Sequence, residues 1–302
     1  MTDLRGIFPP LPTSFKKDES ISEDGIRANI RTLCNYPLAG FLILGSNGEL
    51  VMLSEKEKQK VYNTAREAIP DNRLMIAGCG AESTKETITL AKQAASAGAD
   101  ACLVLNPSYY KGQMDTMALR AHFHSVADAS PVPVLIYNMP ANTGIDMSAD
   151  QILEIADHPN ITGLKDSGGN LVKMAAVINS AGEGFQVLAG SAGFLLPALS
   201  IGACGGILAL ANIAPSMCCE IFENFNSGKI ADARETQLRI IGANTAVTRK
   251  WGVAALKAAM DHLGLFGGIV KKPLQELDDT KKASLLQILD KAGIRPVTQK
   301  QG

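Results

Sequence analysis

Eight short apolar runs, each followed by a longer segment of helical period, restrict the fold of this chain more than any other feature. The runs lie at 6–13 (GIFPPLPT), 40–45 (GFLILG), 73–79 (RLMIAGC), 101–105 (ACLVL), 133–137 (PVLIY), 161–165 (ITGLK), 185–190 (FQVLAG) and 204–210 (CGGILAL). Their length and their glycine and proline boundaries read as strands. Helices fill the intervals. One opens with Ser22 as N-cap, a second starts at Ser54 and stops at Pro70, and a third begins at Ser83 and meets Gly98. TMALRAHFHSVADAS, SADQILEIADHP, LVKMAAVINSAG and FLLPALSIGA continue the pattern. Eight strand–helix units in about 225 residues favour an α/β fold of the (β/α)8 TIM-barrel type over a doubly wound open sheet. An open sheet with a dinucleotide site would carry GxGxxG after its first strand, and this chain has none there.

From about 226 onward the strand signals stop. ADARETQLRIIGANTAVTRK, VAALKAAMDHLG and DDTKKASLLQILDKAG read as three amphipathic helices, with the Gly/Pro-punctuated FGGIVKKPLQEL (266–277) before the last. The expected organisation is a catalytic barrel over 1–225 and a C-terminal three-helix extension over 226–302. The last residues, RPVTQKQG, are expected to fray.

Composition narrows the function classes. An apolar share of 46% with 20% charged residues supports a large soluble core. A formal net charge of −1 gives no field favouring nucleic acid or an anionic membrane. No run approaches the roughly 18 apolar residues of a membrane span. MTDLRGIFPP lacks the apolar core of a signal peptide, and its prolines oppose a transit helix. Six cysteines in a chain of this length read as reduced, structural thiols, so a cytoplasmic location is expected.

In such a barrel, chemistry gathers where strands end and the following loops begin. Strand 2 ends in GSNGE (45–49), strand 4 in NPSYYKG (106–112), strand 5 in YNMPANTG (137–144) and strand 6 in KDSGGN (165–170). Strand 7 ends in GSAG (190–193), and strand 8 leads to Asn212. Lys165 stands out. It is either a strand-end lysine paired with Asp166, or an amine facing the barrel interior on the same face as Gly163 and Ile161. In the second case desolvation disfavours the charged form, and a neutral amine is what attack on a ketone requires. Tyr137 is either a core tyrosine or a phenol at the same rim able to pass protons. Ser46 and Asn47, flanked by Gly45 and Gly48, form either an ordinary turn or an anion-binding loop. Glu49 reads as a brace for that loop or a cap for the next helix. Tyr109 and Tyr110 are loop packing or part of a relay. The four histidines lack metal-ligand spacing, so no metal site is expected. GSAG and CGG could cradle a phosphate, but no lysine or arginine accompanies them.

These motifs together resemble the dihydrodipicolinate synthase / N-acetylneuraminate lyase superfamily of Schiff-base aldolases, over nearly the whole chain. GSNGE matches its GxxGE loop, YNMPANTG its YNxPxxTG stretch and GLK its GxK; the tyrosine pair is also present. The resemblance implies a (β/α)8 barrel with a helical extension, usually a homotetramer built as a dimer of dimers. No organic cofactor or metal is expected, because an iminium does the task of a Lewis acid. It implies Lys165 as the imine-forming lysine and Tyr137 as the catalytic tyrosine. Ser46 and Asn47 would hold the 2-oxo acid carboxylate. One of Tyr109 and Tyr110 would complete the proton relay, the other reaching a neighbouring subunit. Ser167, Gly190, Ser191 and Asn212 are expected to contribute to substrate binding.

Two departures narrow the substrate. The arginine with which dihydrodipicolinate synthases bind a second carboxylate is replaced by Asn142, and the acidic residues of sialic acid lyases are replaced by Ser191, Ala192 and Gly193. The chain looks most like 4-hydroxy-2-oxoglutarate aldolases through YYKG, KDSGG, FQVLAGSAGF, ALAN and NTAVTRK. The expected reaction is cleavage of 4-hydroxy-2-oxoglutarate to pyruvate and glyoxylate. Alternatives are dihydrodipicolinate synthesis, cleavage of 2-keto-3-deoxy sugar acids, and a non-catalytic 2-oxo acid sensor.

Overall fold

The computed structural model describes residues 2–296. Eight parallel strands form its centre: β1 (Gly6–Phe8), β2 (Gly40–Ile43), β3 (Leu74–Gly78), β4 (Ala101–Leu105), β5 (Val134–Asn138), β6 (Ile161–Asp166), β7 (Gln186–Ala189) and β8 (Gly205–Ile207). Helices α1 (Glu23–Leu33), α2 (Glu55–Ala68), α3 (Thr84–Ser96) and α4 (Thr116–Ala129) alternate with the first five strands. The short α5 (Pro140–Thr143), then α6 (Ala149–Ala156), α7 (Leu171–Ser180), α8 (Leu195–Ser200) and α9 (Pro215–Asn226) complete the outer layer. Side chains of Ser22, Ser54, Ser83 and Ser148 accept from backbone N–H groups in the first turns of their helices, satisfying donors a helix start leaves free.

The strands pair in the order β1-β8-β7-β6-β5-β4-β3-β2. The seam between β1 and β2 explains the first difference from the expected strands. Pro9, Pro10 and Pro12 carry no N–H, so the ladder expected over 6–13 stops at Phe8. A single bridge closes the barrel there: Leu42 N donates to Pro9 O at 3.0 Å and Leu11 N to Leu42 O at 2.9 Å. The strand expected over 204–210 ends at Ile207 for the same reason. Leu208 N takes Phe8 O at 2.9 Å, the last ladder partner, and the chain then turns through a 3-10 segment, Ala209–Asn212.

Two apolar layers result. Leu4, Phe8, Leu42, Ile76, Leu103, Leu135, Tyr137, Leu188 and Ile207 fill the barrel interior, while a larger cluster packs the outer strand faces against the helices. The expected phase of β6 needs correction at its start. The register pairs Val134 with Ile161 but Leu135 with Gly163, so Thr162 is bulged out. Ile161 therefore joins the outer cluster, and only Gly163 and Lys165 keep the inward phase. Gly163 lies close to β7: a Cβ there would sit 2.5 Å from the Gln186 carbonyl oxygen.

Beyond α9 the chain is helical: α10 (Ile230–Thr245), α11 (Gly252–His262) and α12 (Asp279–Lys291). The helix expected over 231–250 loosens after Thr245 into a π-helical turn, Ala246–Lys250. From residue 297, the tail expected to fray lies outside the described residues. Among those residues, no helix is long and apolar enough to cross a membrane.

Candidate active site

Lys165 stands at the C-terminal end of β6, level with Tyr137 on β5 and Leu188 on β7. Both neighbours belong to the inner layer, so the register turns the lysine into the barrel rather than outward. It is 4% exposed, and its Nζ lies 4.1 Å from the centroid of the Tyr137 ring. The alternative pairing with Asp166 is not formed. Asp166 points to the outer side, where its Oδ2 is 3.2 Å from Lys173 Nζ and accepts from Asn138 Nδ2 at 2.8 Å. Lys173 also contacts Asp146. The other Asp166 oxygen accepts from Gly168 N (2.9 Å) and Gly169 N (3.1 Å), fixing the turn that follows Lys165.

The Tyr137 hydroxyl shares a hydrogen bond with Ser46 Oγ at 3.4 Å. Burial alone would raise the pKa of this phenol. The Lys165 ammonium, with hydrogen bonding to Ser46, Ser167 and Lys165, outweighs burial and holds it below the ordinary value. Ser46 begins a 3-10 turn, Ser46–Gly48, bracketed by two non-glycine residues in the left-handed region, Leu44 (φ 57) and Glu49 (φ 56).

Ser46 and Tyr137 open onto a cavity of about 450 Å³, whose wall includes Leu44, Leu103, Leu105, Ser108, Asn142 and Thr143. The cavity's lining residues include one carboxylate, Glu82, and no lysine or arginine. Glu82 accepts from Ser108 N, Ser108 Oγ and Tyr109 N, which fixes the loop after β4.

The other expected residues are dispersed to different degrees. Asn47 is half-buried in the Ser46 turn but does not line the cavity. Ser167 follows Lys165, with its N–H on Asn138 O (2.9 Å) and its Oγ 3.5 Å from Gly190 O. Gly190 N donates to Asp166 O at 2.7 Å, and a side chain at 190 would overlap Ser167. Ser191 accepts from Asn244 Nδ2 of α10 at 3.0 Å. Asn212 is buried and turned to the barrel seam, its Nδ2 donating to Pro10 O and Ala209 O at 3.0 Å each. Tyr109 and Tyr110 expose 78% and 66% of their surface, their rings edge to face at 5.0 Å.

Sequence reasoning passed over Asn138, Asp146, Lys173 and Glu82. The Asp166–Lys173 pair spans one strand–helix turn, so an acid at a strand end seven residues before a helix lysine was the available signal.

The geometry of an inward lysine under a tyrosine ring can be set beside known proteins. The dihydrodipicolinate synthetase family matches residues 3–292. The chain belongs to this family. It is 37% identical over 285 residues to a protein of Emericella nidulans described as a probable mitochondrial 4-hydroxy-2-oxoglutarate aldolase, covering 93% of this chain and 92% of that one. It is 33% identical over 291 residues to a 4-hydroxy-tetrahydrodipicolinate synthase of Methanothrix thermoacetophila, covering 95% and 97%. A crystal structure of YagE, a prophage protein of the dihydrodipicolinic acid synthase family from E. coli K12, in complex with pyruvate, superposes with a TM-score of 0.91 at 28% identity, covering 97% of this chain and 100% of that one. Like its family, this dihydrodipicolinate synthetase family member is a lyase of the class I aldolase type.

Proposed function

We propose that the protein cleaves 4-hydroxy-2-oxoglutarate to pyruvate and glyoxylate through an imine on Lys165. The observation that carries this reading is the buried amine held against the Tyr137 ring, with no carboxylate paired to it among the described residues, at the C-terminal mouth of the barrel. In this account Ser46, Asn47 and the N–H groups of their turn hold the C1 carboxylate. The unprotonated Lys165 amine attacks C2, and the carbinolamine loses water as Tyr137 relays protons, with Ser46 hydrogen-bonded to its hydroxyl. A phenol held below its ordinary pKa gives up its proton more readily, as a shuttle must. The resulting iminium draws electrons from the C3–C4 bond, which breaks as the C4 hydroxyl loses its proton. Glyoxylate leaves, the enamine takes a proton at C3, and water releases pyruvate from Lys165.

One feature argues against aspartate semialdehyde as the partner, and one nearby cation supports a second carboxylate on the substrate. Asn142 stands on the cavity wall where a synthase of this family would carry arginine. Beside that wall, the Lys111 ammonium rests against Gly144, such that a Cβ at 144 would be 3.5 Å from Nζ. A flexible point charge on the rim suits a small dianion better than a neutral polyol. Steady-state cleavage of 4-hydroxy-2-oxoglutarate and of 2-keto-3-deoxy sugar acids, measured side by side, tests the assignment. A higher kcat/KM for the sugar acids would overturn the glyoxylate half while leaving the imine chemistry in place.

The same reading takes 1–225 as the catalytic barrel and 226–302 as an extension, and the Tyr109–Tyr110 edge as part of a contact between copies in a homotetramer.

A further inference from the structure

Glu49 follows the Ser46–Gly48 turn directly, and its backbone is left-handed (φ 56), a conformation that persists for a non-glycine residue only where surroundings hold it. Its side chain neither caps the next helix nor faces solvent. Ser54 and Glu57 cap α2 by themselves. The Glu49 carboxylate instead runs into the C-terminal helices. Its Oε1 lies 2.6 Å from Lys257 Nζ on α11, each side chain 1% exposed, and its Oε2 accepts from Lys271 N at 2.7 Å. Lys257 also donates to Ile269 O at 2.6 Å and stands 4.3 Å above the centre of the Phe15 ring. On the other side of the turn, Thr13 Oγ1 donates to Gly48 O at 2.6 Å.

We propose that the buried Glu49–Lys257 pair is a positioning device through which the C-terminal extension sets the turn that receives the substrate carboxylate. The inference rests on the assignment of that turn made above. A buried ion pair is a poor source of net stability compared with apolar packing of the same volume, so its presence asks for another reason. Here it has one. The pair ties the left-handed residue that closes the Ser46–Gly48 turn to a helix remote in sequence, and Ser46 in turn touches the Tyr137 hydroxyl. Shifts of about 1 Å at such a point are enough to cost about a hundredfold in a positioned reaction. The device acts through the backbone of the turn, so neither Glu49 nor Lys257 need approach the substrate.

Three proteins test this: the unaltered chain, Lys257→Met, and the double variant Glu49→Leu/Lys257→Met. Each is titrated with pyruvate under borohydride, reading the concentration that gives half-maximal covalent trapping, and each is melted. Lys257→Met is expected to lower the melting temperature and raise the half-trapping concentration about tenfold or more. In the double variant, removal of the stranded carboxylate should recover melting temperature while the half-trapping concentration stays raised. Recovery of both together, or half-trapping at the unaltered concentration in the folded double variant, would overturn the inference alone. Failure of the unaltered chain to trap pyruvate would overturn the imine reading and this inference with it.

Discussion

At the residue scale, Tyr137 and Lys165 form one unit, and their separate loss should have different signatures. Tyr137→Phe keeps the ring beside the amine and removes only the proton carrier. Turnover of 4-hydroxy-2-oxoglutarate is expected to fall by roughly 10²–10³-fold, the usual contribution of a positioned acid–base group, while circular dichroism stays unchanged. A loss of less than about threefold would show that protons travel by another route. Lys111 makes a second prediction. Lys111→Met should raise KM for the dianionic substrate and leave that for a 2-keto-3-deoxy sugar acid unchanged; equal effects on both would remove Lys111 from specificity. His122 makes a third, on stability. It is buried on α4, with Nδ1 on Thr84 Oγ1 at 3.0 Å and Nε2 without a protein partner among the described residues. Burial, opposed by Glu82, lowers its pKa from 6.5 to about 4. Between those values the unfolded chain binds a proton that the folded chain refuses, so stability falls as pH drops below 6.5 and is unaffected above it. The full effect is at most about 3 kcal/mol. Urea midpoints at pH 7 and pH 5 should therefore differ less in His122→Gln than in the unaltered chain; equal differences would contradict the assignment.

At the element scale, the strand–helix rhythm made the barrel legible because each run had to be covered by its own helix. What stayed hidden depends on partners rather than on local sequence. The Thr162 bulge exists only relative to β5, and the truncation of β8 only relative to the prolines after β1. The lysine's inward direction was legible because two residues of alternation, Gly163 and Lys165, survive the bulge. The turn after it was less so, since nothing in the local sequence names Lys173 and Asn138 as the partners of its anchor, Asp166. Asp166 is fully buried and satisfies Gly168, Gly169, Asn138 and Lys173 at once. Asp166→Asn leaves the Lys173 ammonium half-partnered and should cost about 3 kcal/mol in chemical denaturation. The variant Asp166→Asn/Lys173→Met should recover part of that. A single-variant loss below about 1 kcal/mol would mean that the network is ornamental to the fold.

At the scale of the whole molecule, the contacts between the extension and the barrel include two that reach expected rim residues: Asn244 of α10 on Ser191, and Lys257 of α11 on Glu49. Neither contact could be found by pattern, because each joins residues far apart along the chain. Sequence motifs identified the rim residues but not what holds them. Tyr109 and Tyr110, exposed beside the cavity mouth, add surface that a second copy would cover. Sedimentation velocity on a dilution series should show a tetramer, and a monomer at all concentrations would refute that assembly.

The central claim is a covalent bond between Lys165 and a keto acid, and the direct measurement is intact mass after borohydride reduction with pyruvate, followed by peptide mapping. The account predicts that each chain gains one pyruvate, less one water and plus two hydrogens, on the peptide containing Lys165, and that Lys165→Ala gains nothing. An unaltered mass in the native protein, or the same adduct in Lys165→Ala, would contradict it.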